Sequence, residues 1–138
     1  MKTEIILGAS SMLAAADLVQ RRFIGFDGTL CAANARARGV SAADTKAGQM
    51  CPINISGEVL VESGGAMAAG APLASDALGK AVAATALSVS VPAGATAVTS
   101  TAAQPDLVEA GGYLPQAVNG YAIDAAAGAG EFIRVRLV

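Results

Sequence analysis

Few side chains in this sequence are of the types that carry out chemistry. Three carboxylates, Asp76, Asp124 and Glu131, stand beside expected turns or strand ends, where two of them could act as general acid and general base. The chain contains no histidine, so a serine or cysteine nucleophile lacks its usual partner base. A carboxylate in a turn also accepts hydrogen bonds from nearby backbone N–H groups, and this role explains Asp76 and Asp124. We therefore predict no catalytic residues and no enzymatic activity.

The cysteines and glycines do not indicate a metal or cofactor site. Cys31 and Cys51 are too few for the disulfide framework of a secreted domain, and they do not form the CxxC pair typical of zinc sites. No GxxxxGK[ST] loop, which would cradle a phosphate, follows an expected strand. We expect both thiols to be reduced and buried, and we predict no metal and no cofactor.

The charge distribution argues against a nucleic-acid partner. The formal net charge is −2, and the lysines and arginines are scattered, whereas nucleic-acid binding needs a clustered positive face. The nearest approach to a cluster is Arg21-Arg22 with Arg36 and Arg38. These arginines are typical of a solvated strand face, and contact with an acidic protein surface is the alternative.

The hydrophobic residues are mostly small. Hydrophobic residues make up 54% of the sequence, but 33 of them are alanines and only five side chains are aromatic. The longest uncharged run, residues 81–105, contains Pro92 and Gly94 and lacks the roughly 20 strongly apolar residues of a membrane span, so we predict no membrane partner. Each alanine removes little area from water, and the core is therefore expected to be thin. Contacts with other chains could supply the missing stability.

Glycine and proline divide the chain into short segments, which favours β-strands over long helices. Residues 19–26 are predicted to form one side of a hairpin with Asp27-Gly28 as its two-residue turn. Residues 72–75 are predicted to form a short strand that turns at 76–79 and returns from Lys80.

Further strands are expected in the middle and at the end of the chain. Residues 50–56 read as a strand that lies at a sheet edge or begins at Pro52, which has no backbone N–H, with Ser56-Gly57 as the turn into a second strand. In the last segment apolar side chains alternate with arginines, which predicts a strand that closes the sheet, with one face formed by Ile133, Val135 and Leu137.

The N-terminal segment has two interpretations. Helix propensity allows a helix over residues 10–20, and the alternative is an extended arm packed on something else. Residues 1–7 alternate weakly, as expected of a tail that adds a strand to a partner's sheet, although a disordered terminus is equally compatible with them.

The order of these segments resembles a known family. The matching features are RFIGFDG, GVSAADTKAG, ISGEVLVESGGAMAAGAPLASDALGKA and the ending GYAIDAAAGAGEFIRVRLV. Together they are similar to the capsid cement, or head decoration, proteins of tailed bacteriophages. The fold expected from the segments and the resemblance is mainly β, a small single-domain barrel or sandwich of short antiparallel strands with little helix. We assign residues 1–18 to an extended N-terminal arm and 19–138 to the β-rich domain, with a long inserted loop at about 86–117.

The resemblance implies a structural protein of the virion. Such a protein binds the outer surface of the phage head, has the major capsid protein as its partner, and stabilises the shell, as a homotrimer at three-fold and quasi-three-fold positions. It is assembled in the cytoplasm of the bacterial host. We assign capsid contact to the residues of the arm: Lys2, Thr3, Glu4, Ile5, Ile6 and Leu7. The alternative is a virion-surface accessory that binds a host receptor or glycan through the 86–117 loop, although Tyr113 and Tyr121 are the only tyrosines available to stack on a sugar.

Overall fold

The computed structural model describes residues 2–85 and 117–138. Within these ranges the regular structure consists of strands, and no helix is present, as the mainly-β prediction requires. The strands are β1 (Ile5–Leu13), β2 (Phe23–Ile24), β3 (Gly39–Ser41), β4 (Met50–Glu62), β5 (Pro72–Ser75), β6 (Ala81–Ala83), β7 (Gly120–Ala122) and β8 (Phe132–Leu137). The described part accordingly has no helix of the length and hydrophobicity needed to cross a membrane. The predicted insertion over 86–117 lies, except for Ala117, outside the described residues.

The strands form one antiparallel sheet that curls into a nearly closed barrel. Its order is β2-β3-β4-β8-β7-β5-β6, and β1 is added beside β4. The backbone N–H of Phe23 in β2 donates to the C=O of Gly79, just before β6, at 2.7 Å, and this bond brings the two ends of the order together. The expectation of a small single-domain barrel or sandwich is confirmed in its barrel form. The predicted strand over 72–75 and its return strand appear as β5 and β6.

The longest strand, β4, organises the sheet. Glu58 pairs with one residue of β1 and one of β8, and Asn54 pairs with one of β1 and one of β3. Because a strand residue has one neighbour on each edge, β1 lies along one edge of β4, and β3 and β8 share the other. The hairpin turn predicted at Ser56-Gly57 is therefore wrong. Gly57 has φ 108° within β4, in an irregular stretch of pairing, and the strand continues through it to Glu62.

Pro52 lies inside this central strand, and the prediction that its strand is an edge or begins at the proline is also wrong. Pro52 is paired with Ser11 of β1, and its C=O accepts the N–H of Ala42 on the other side at 2.9 Å. The backbone groups of Pro52 therefore point away from β1, toward a short loop segment. The missing N–H leaves the ladder between β1 and β4 intact, which explains why a proline is tolerated here.

The hairpin after β2 is present, but its loop is longer than predicted. Gly25 N–H donates to Thr29 C=O at 2.9 Å, and Gly28 N–H donates to Gly25 C=O at 3.4 Å. Gly28 has φ 84°. This is a three-residue loop, in which a type I turn is followed by a residue in the left-handed region, rather than a two-residue Asp27-Gly28 turn.

The core is divided into two clusters of small and medium side chains. The larger cluster contains Phe23, Cys31, Val40, Val59, Val61, Met67, Leu73, Ala81, Ala122, Ala126, Ile133 and Val135, and the smaller contains Met12, Ala14, Leu18, Ile24, Cys51 and Ile53. The cysteines are free and buried, as predicted, and lie in different clusters. The predicted alternation in β8 is also confirmed, since Ile133 and Val135 are buried while Arg136 is exposed.

The N-terminal segment is extended, so the helix allowed over residues 10–20 is wrong. Residues 5–13 form β1, which pairs antiparallel with β4 of the same chain. The segment assigned to an arm is therefore part of the chain's own sheet. Helix propensity is a weak preference, and here it is outweighed by the burial of Met12, Ala14 and Leu18 in the smaller core cluster.

Candidate functional site

The three carboxylates considered for chemistry each accept hydrogen bonds from other groups of the protein. Asp76 accepts the backbone N–H groups of Leu78 and Lys80 at 2.8 and 2.9 Å. Glu131 accepts the N–H of Ala127 at 2.7 Å. Asp124 accepts both the backbone N–H and the guanidinium of Arg134. The turn-capping role predicted for Asp76 is confirmed, whereas Asp124 binds the backbone and side chain of Arg134 in β8 instead of capping its own turn.

Of these three carboxylates, Asp124 is the one that forms an ion pair, with Arg134. Its two carboxylate oxygens accept hydrogen bonds from Nε and Nη2 of Arg134, at 2.9 and 2.8 Å. These hydrogen bonds hold the pKa of Asp124 well below its ordinary value of 3.8, against the opposing effect of desolvation. Asp124 is thus charged at neutral pH and fastens the 123–131 loop to β8. Within residues 2–85 and 117–138, no group of three or more potential ligand side chains is arranged to hold a metal ion.

Three of the four arginines considered as a basic cluster, Arg21, Arg22 and Arg36, each contact a different part of the protein. Arg22 forms an ion pair with Glu62 at 3.0 Å. Arg36 donates to the C=O groups of Val118 and Val138 at 2.6 and 2.7 Å. Arg21 lies over the ring of Phe132, 4.8 Å from its centroid. Each of these three arginines has a different intramolecular partner. They therefore stabilise separate parts of the fold and do not form one binding surface.

The exposed apolar side chains point instead to the start of β1. Ile5, Ile6 and Leu7 are 55%, 47% and 76% exposed, and Leu7 is the most exposed large hydrophobic residue of the described part. Their neighbour Ile55 in β4 is 43% exposed. We call these four residues the β1 tip. Large apolar side chains are normally buried, so several exposed ones that lie close together on two paired strands make this end of β1 a candidate interaction surface.

Two opposed bulges create this surface. Ile6 pairs with Gly57, the next pair is Gly8 with Ser56, and the pair after that is Ala9 with Asn54. Leu7 is therefore an extra residue on β1, and Ile55 is an extra residue on β4. Each extra residue shifts the pairing of β1 with β4 by one position, and the two shifts cancel. The pairing from Ala9 to Leu13 therefore has the same register as at Ile5. Bulges re-aim side chains, which accounts for the exposure of Leu7 and Ile55.

Gly57 is required for this arrangement. A Cβ atom at this position would lie 2.1 Å from the C=O oxygen of Ile5 and 2.8 Å from the backbone N of Leu7. The φ of 108° is also one that other residues rarely adopt. Only glycine lets the β1 tip approach β4 this closely.

The polar residues of the predicted capsid-contact segment anchor the tip. The Nζ of Lys2 donates to the C=O of Phe132 at 2.6 Å, and Oε1 of Glu4 accepts the N–H of Leu60 at 2.9 Å. Thr3 is exposed. The structure thus brings all six predicted residues, 2–7, together at the end of β1, with polar side chains of this group turned inward to the sheet. The sequence analysis missed Ile55, whose only signal was its position shortly before Gly57.

Residues 2–85 and 117–138 thus form a small β-sheet fold with a group of exposed apolar side chains at the start of β1. The chain matches the sequence model of the phage cement proteins over residues 10–137, and it belongs to that family. It is therefore a structural protein of the phage head and a component of the virion. The resemblance noted from the sequence is confirmed.

Among solved structures, the chain is similar to the N base of head fiber gp8.5 of bacteriophage phi29. The two share 17% sequence identity with a TM-score of 0.62, over 95% of this chain and 93% of the other. At this identity the likeness shows a shared fold. No curated protein matches the chain in sequence.

Proposed function

We propose that the protein binds the outer surface of the phage head through the β1 tip, with the major capsid protein as its partner, and that it stabilises the shell. The observation that carries this proposal is the exposed apolar tip, held in place by Lys2 and Glu4, in a member of the cement family. A preorganised apolar surface binds without the ordering cost of a flexible tail.

The oligomeric part of the proposal is a homotrimer at three-fold and quasi-three-fold positions, assembled in the host cytoplasm. It is supported by the family resemblance and by an energetic argument. Burial of one leucine or isoleucine side chain contributes about 1.5–3 kcal/mol, so a single tip is a weak anchor. Three linked tips bind with a high effective concentration, which converts modest contacts into stable attachment. Sedimentation of the purified protein tests the trimer, and a protein that remains monomeric contradicts it.

The decisive experiment compares two leucines. Leu7→Asp places a charge on the tip, and the matched control Leu78→Asp places the same charge on the turn between β5 and β6, where Leu78 is 54% exposed. Expanded heads that lack the protein are mixed with each variant, and the bound protein is quantified after sedimentation. From the burial energy of one leucine, we expect Leu7→Asp to weaken binding more than about tenfold. Leu78→Asp should bind as the unmodified protein does.

The outcomes of this experiment test the cement function and the contact role of the β1 tip separately. If the unmodified protein does not attach to heads, the cement proposal fails for this chain. If it attaches and Leu7→Asp attaches equally well, the β1 tip is not the contact surface. Deletion of residues 2–10 is less informative, because it would also remove the neighbour of β4.

A further inference from the structure

We propose that the outer edge of β1 over Ala9–Ser11 accepts an extended strand from the capsid shell. This inference rests on the proposed function and adds to it a backbone-mediated contact. It also reverses the direction of strand addition expected from the sequence, since β1 remains paired with β4 and serves as the template for a partner's strand.

Hydrogen bonds at the end of β1 show which of its backbone N–H and C=O groups face β4 and which face the outer edge. Ala14 N–H donates to Gln49 C=O at 2.9 Å, and Ala14 C=O accepts Gly48 N–H at 2.8 Å, so both groups of Ala14 point to the β4 side. In an antiparallel pair, successive residues alternate between facing the partner and facing away. The register from Ala9 to Leu13 is unbroken. The N–H and C=O groups of Ala9, Ser11 and Leu13 therefore point outward.

Two features limit the open part of this edge. At its end, Ala15 N–H donates to Gly28 C=O at 2.9 Å, and the hairpin loop around Gly28 lies against Leu13 C=O, where a Cβ on Gly28 would be only 2.6 Å from the oxygen. At its start, the bulge at Leu7 interrupts the two-residue period of outward groups. A regular strand can therefore pair with Ala9–Ser11. Within residues 2–85 and 117–138, β4 is the only strand that pairs with β1.

The side chains of this stretch leave the edge unprotected. Sheet edges are normally blocked by lysines, prolines or inward-pointing charges, and residues 5–16 contain none of these. The open edge continues directly from the β1 tip, on the same strand. An extended shell segment can thus contact the tip side chains and the Ala9–Ser11 backbone at once. A second copy of the chain on this edge would instead form a two-fold pair that covers the tip.

Proline substitutions test the backbone contact. Ala9→Pro and Ser11→Pro each remove an outward N–H that bonds nothing within the sheet, so the fold should be retained. Ala9→Val and Ser11→Thr alter the same side chains and keep the N–H. We expect each proline variant to bind heads about tenfold more weakly, the effect of one lost backbone hydrogen bond, and each control to bind within about twofold of the unmodified protein. Thermal unfolding confirms that each variant is folded.

Hydrogen exchange gives a second measurement that needs no variant. The Ala9 and Ser11 amides should exchange rapidly in the free protein and become protected on heads, as read by mass spectrometry of peptides covering β1. Absence of this protection, or proline variants that bind normally while Leu7→Asp does not, overturns the strand contact and leaves the proposed function intact. Protection that appears in the free protein as its concentration is raised, without heads, identifies a second copy as the occupant and also overturns the inference.

Discussion

Replacement of Gly57 by alanine is the most direct test of how the β1 tip is built. The new Cβ would lie 2.1 Å from the C=O oxygen of Ile5, a separation at which the backbone of β1 or β4 must move. The residue would also have to hold φ at 108°, which is unfavourable for any side chain. Both effects act on the pairing that places Ile5, Ile6 and Leu7 at the surface.

Substitutions at two other glycines distinguish the cost of the positive φ from the cost of the collision with Ile5. Gly65 has no atom within 4 Å of an added Cβ and no positive φ, so Gly65→Ala should be nearly neutral. Gly48 has the same open surroundings but φ 85°, so Gly48→Ala should lower the free energy of unfolding by about 1 kcal/mol, the cost of the backbone conformation alone. Gly57→Ala adds the collision with Ile5 to this cost, and we expect a loss of about 3 kcal/mol.

Urea denaturation of the three variants measures these differences. A loss of about 3 kcal/mol is a large part of a typical stability of about 5–15 kcal/mol and should lower the melting temperature by roughly 10 °C. Gly57→Ala should also reduce attachment to heads under conditions where it remains folded, whereas Gly48→Ala should not. If Gly57→Ala is no less stable than Gly48→Ala, the close approach of β1 to β4 at this residue is not a structural requirement.

Two further predictions concern buried and charged groups. Asp124→Asn removes the charge that binds Arg134 and should cost about 1–2 kcal/mol at pH 7. Because the pKa of Asp124 is lowered in the folded state, its contribution is fully present above about pH 4 and is lost as the pH falls below that, so urea titrations of the two proteins should converge in acid; a constant difference down to pH 2 would contradict this. Burial raises the pKa of the Cys31 thiol, and both cysteines are fully buried, so iodoacetamide should modify neither in the native protein and both in urea. Rapid alkylation without denaturant would show that the core opens at these positions.

Local patterns in the sequence predicted the last strand and the turn between β5 and β6. Ile133 and Val135 alternate with arginines, and only a strand puts such residues on opposite faces. The turn between β5 and β6 was predictable because Asp76 and Gly79 are typical turn residues that act within a few positions of each other. In both cases neighbouring residues decide the conformation.

The formation of the β1 tip depends on contacts between segments that are distant in the sequence. Ser-Gly is a common turn pair, and nothing near Gly57 shows that β1, some fifty residues earlier, will pack against it and keep the strand extended. The same holds for Pro52, whose place in a central strand depends on which side of β4 is occupied by β1. Residues 2–7 were predicted as a contact segment from their weak alternation, and Ile55 was not included because the bulge at this residue exists only in the paired sheet.

The cancelling bulges make the two halves of β1 independent of each other. Since the register is the same on both sides of Leu7 and Ile55, residues before Gly8 can change without displacing Met12 from the core. On the proposed function, the apolar residues at the start of β1 can therefore differ without shifting the pairing of Ala9–Leu13 with β4.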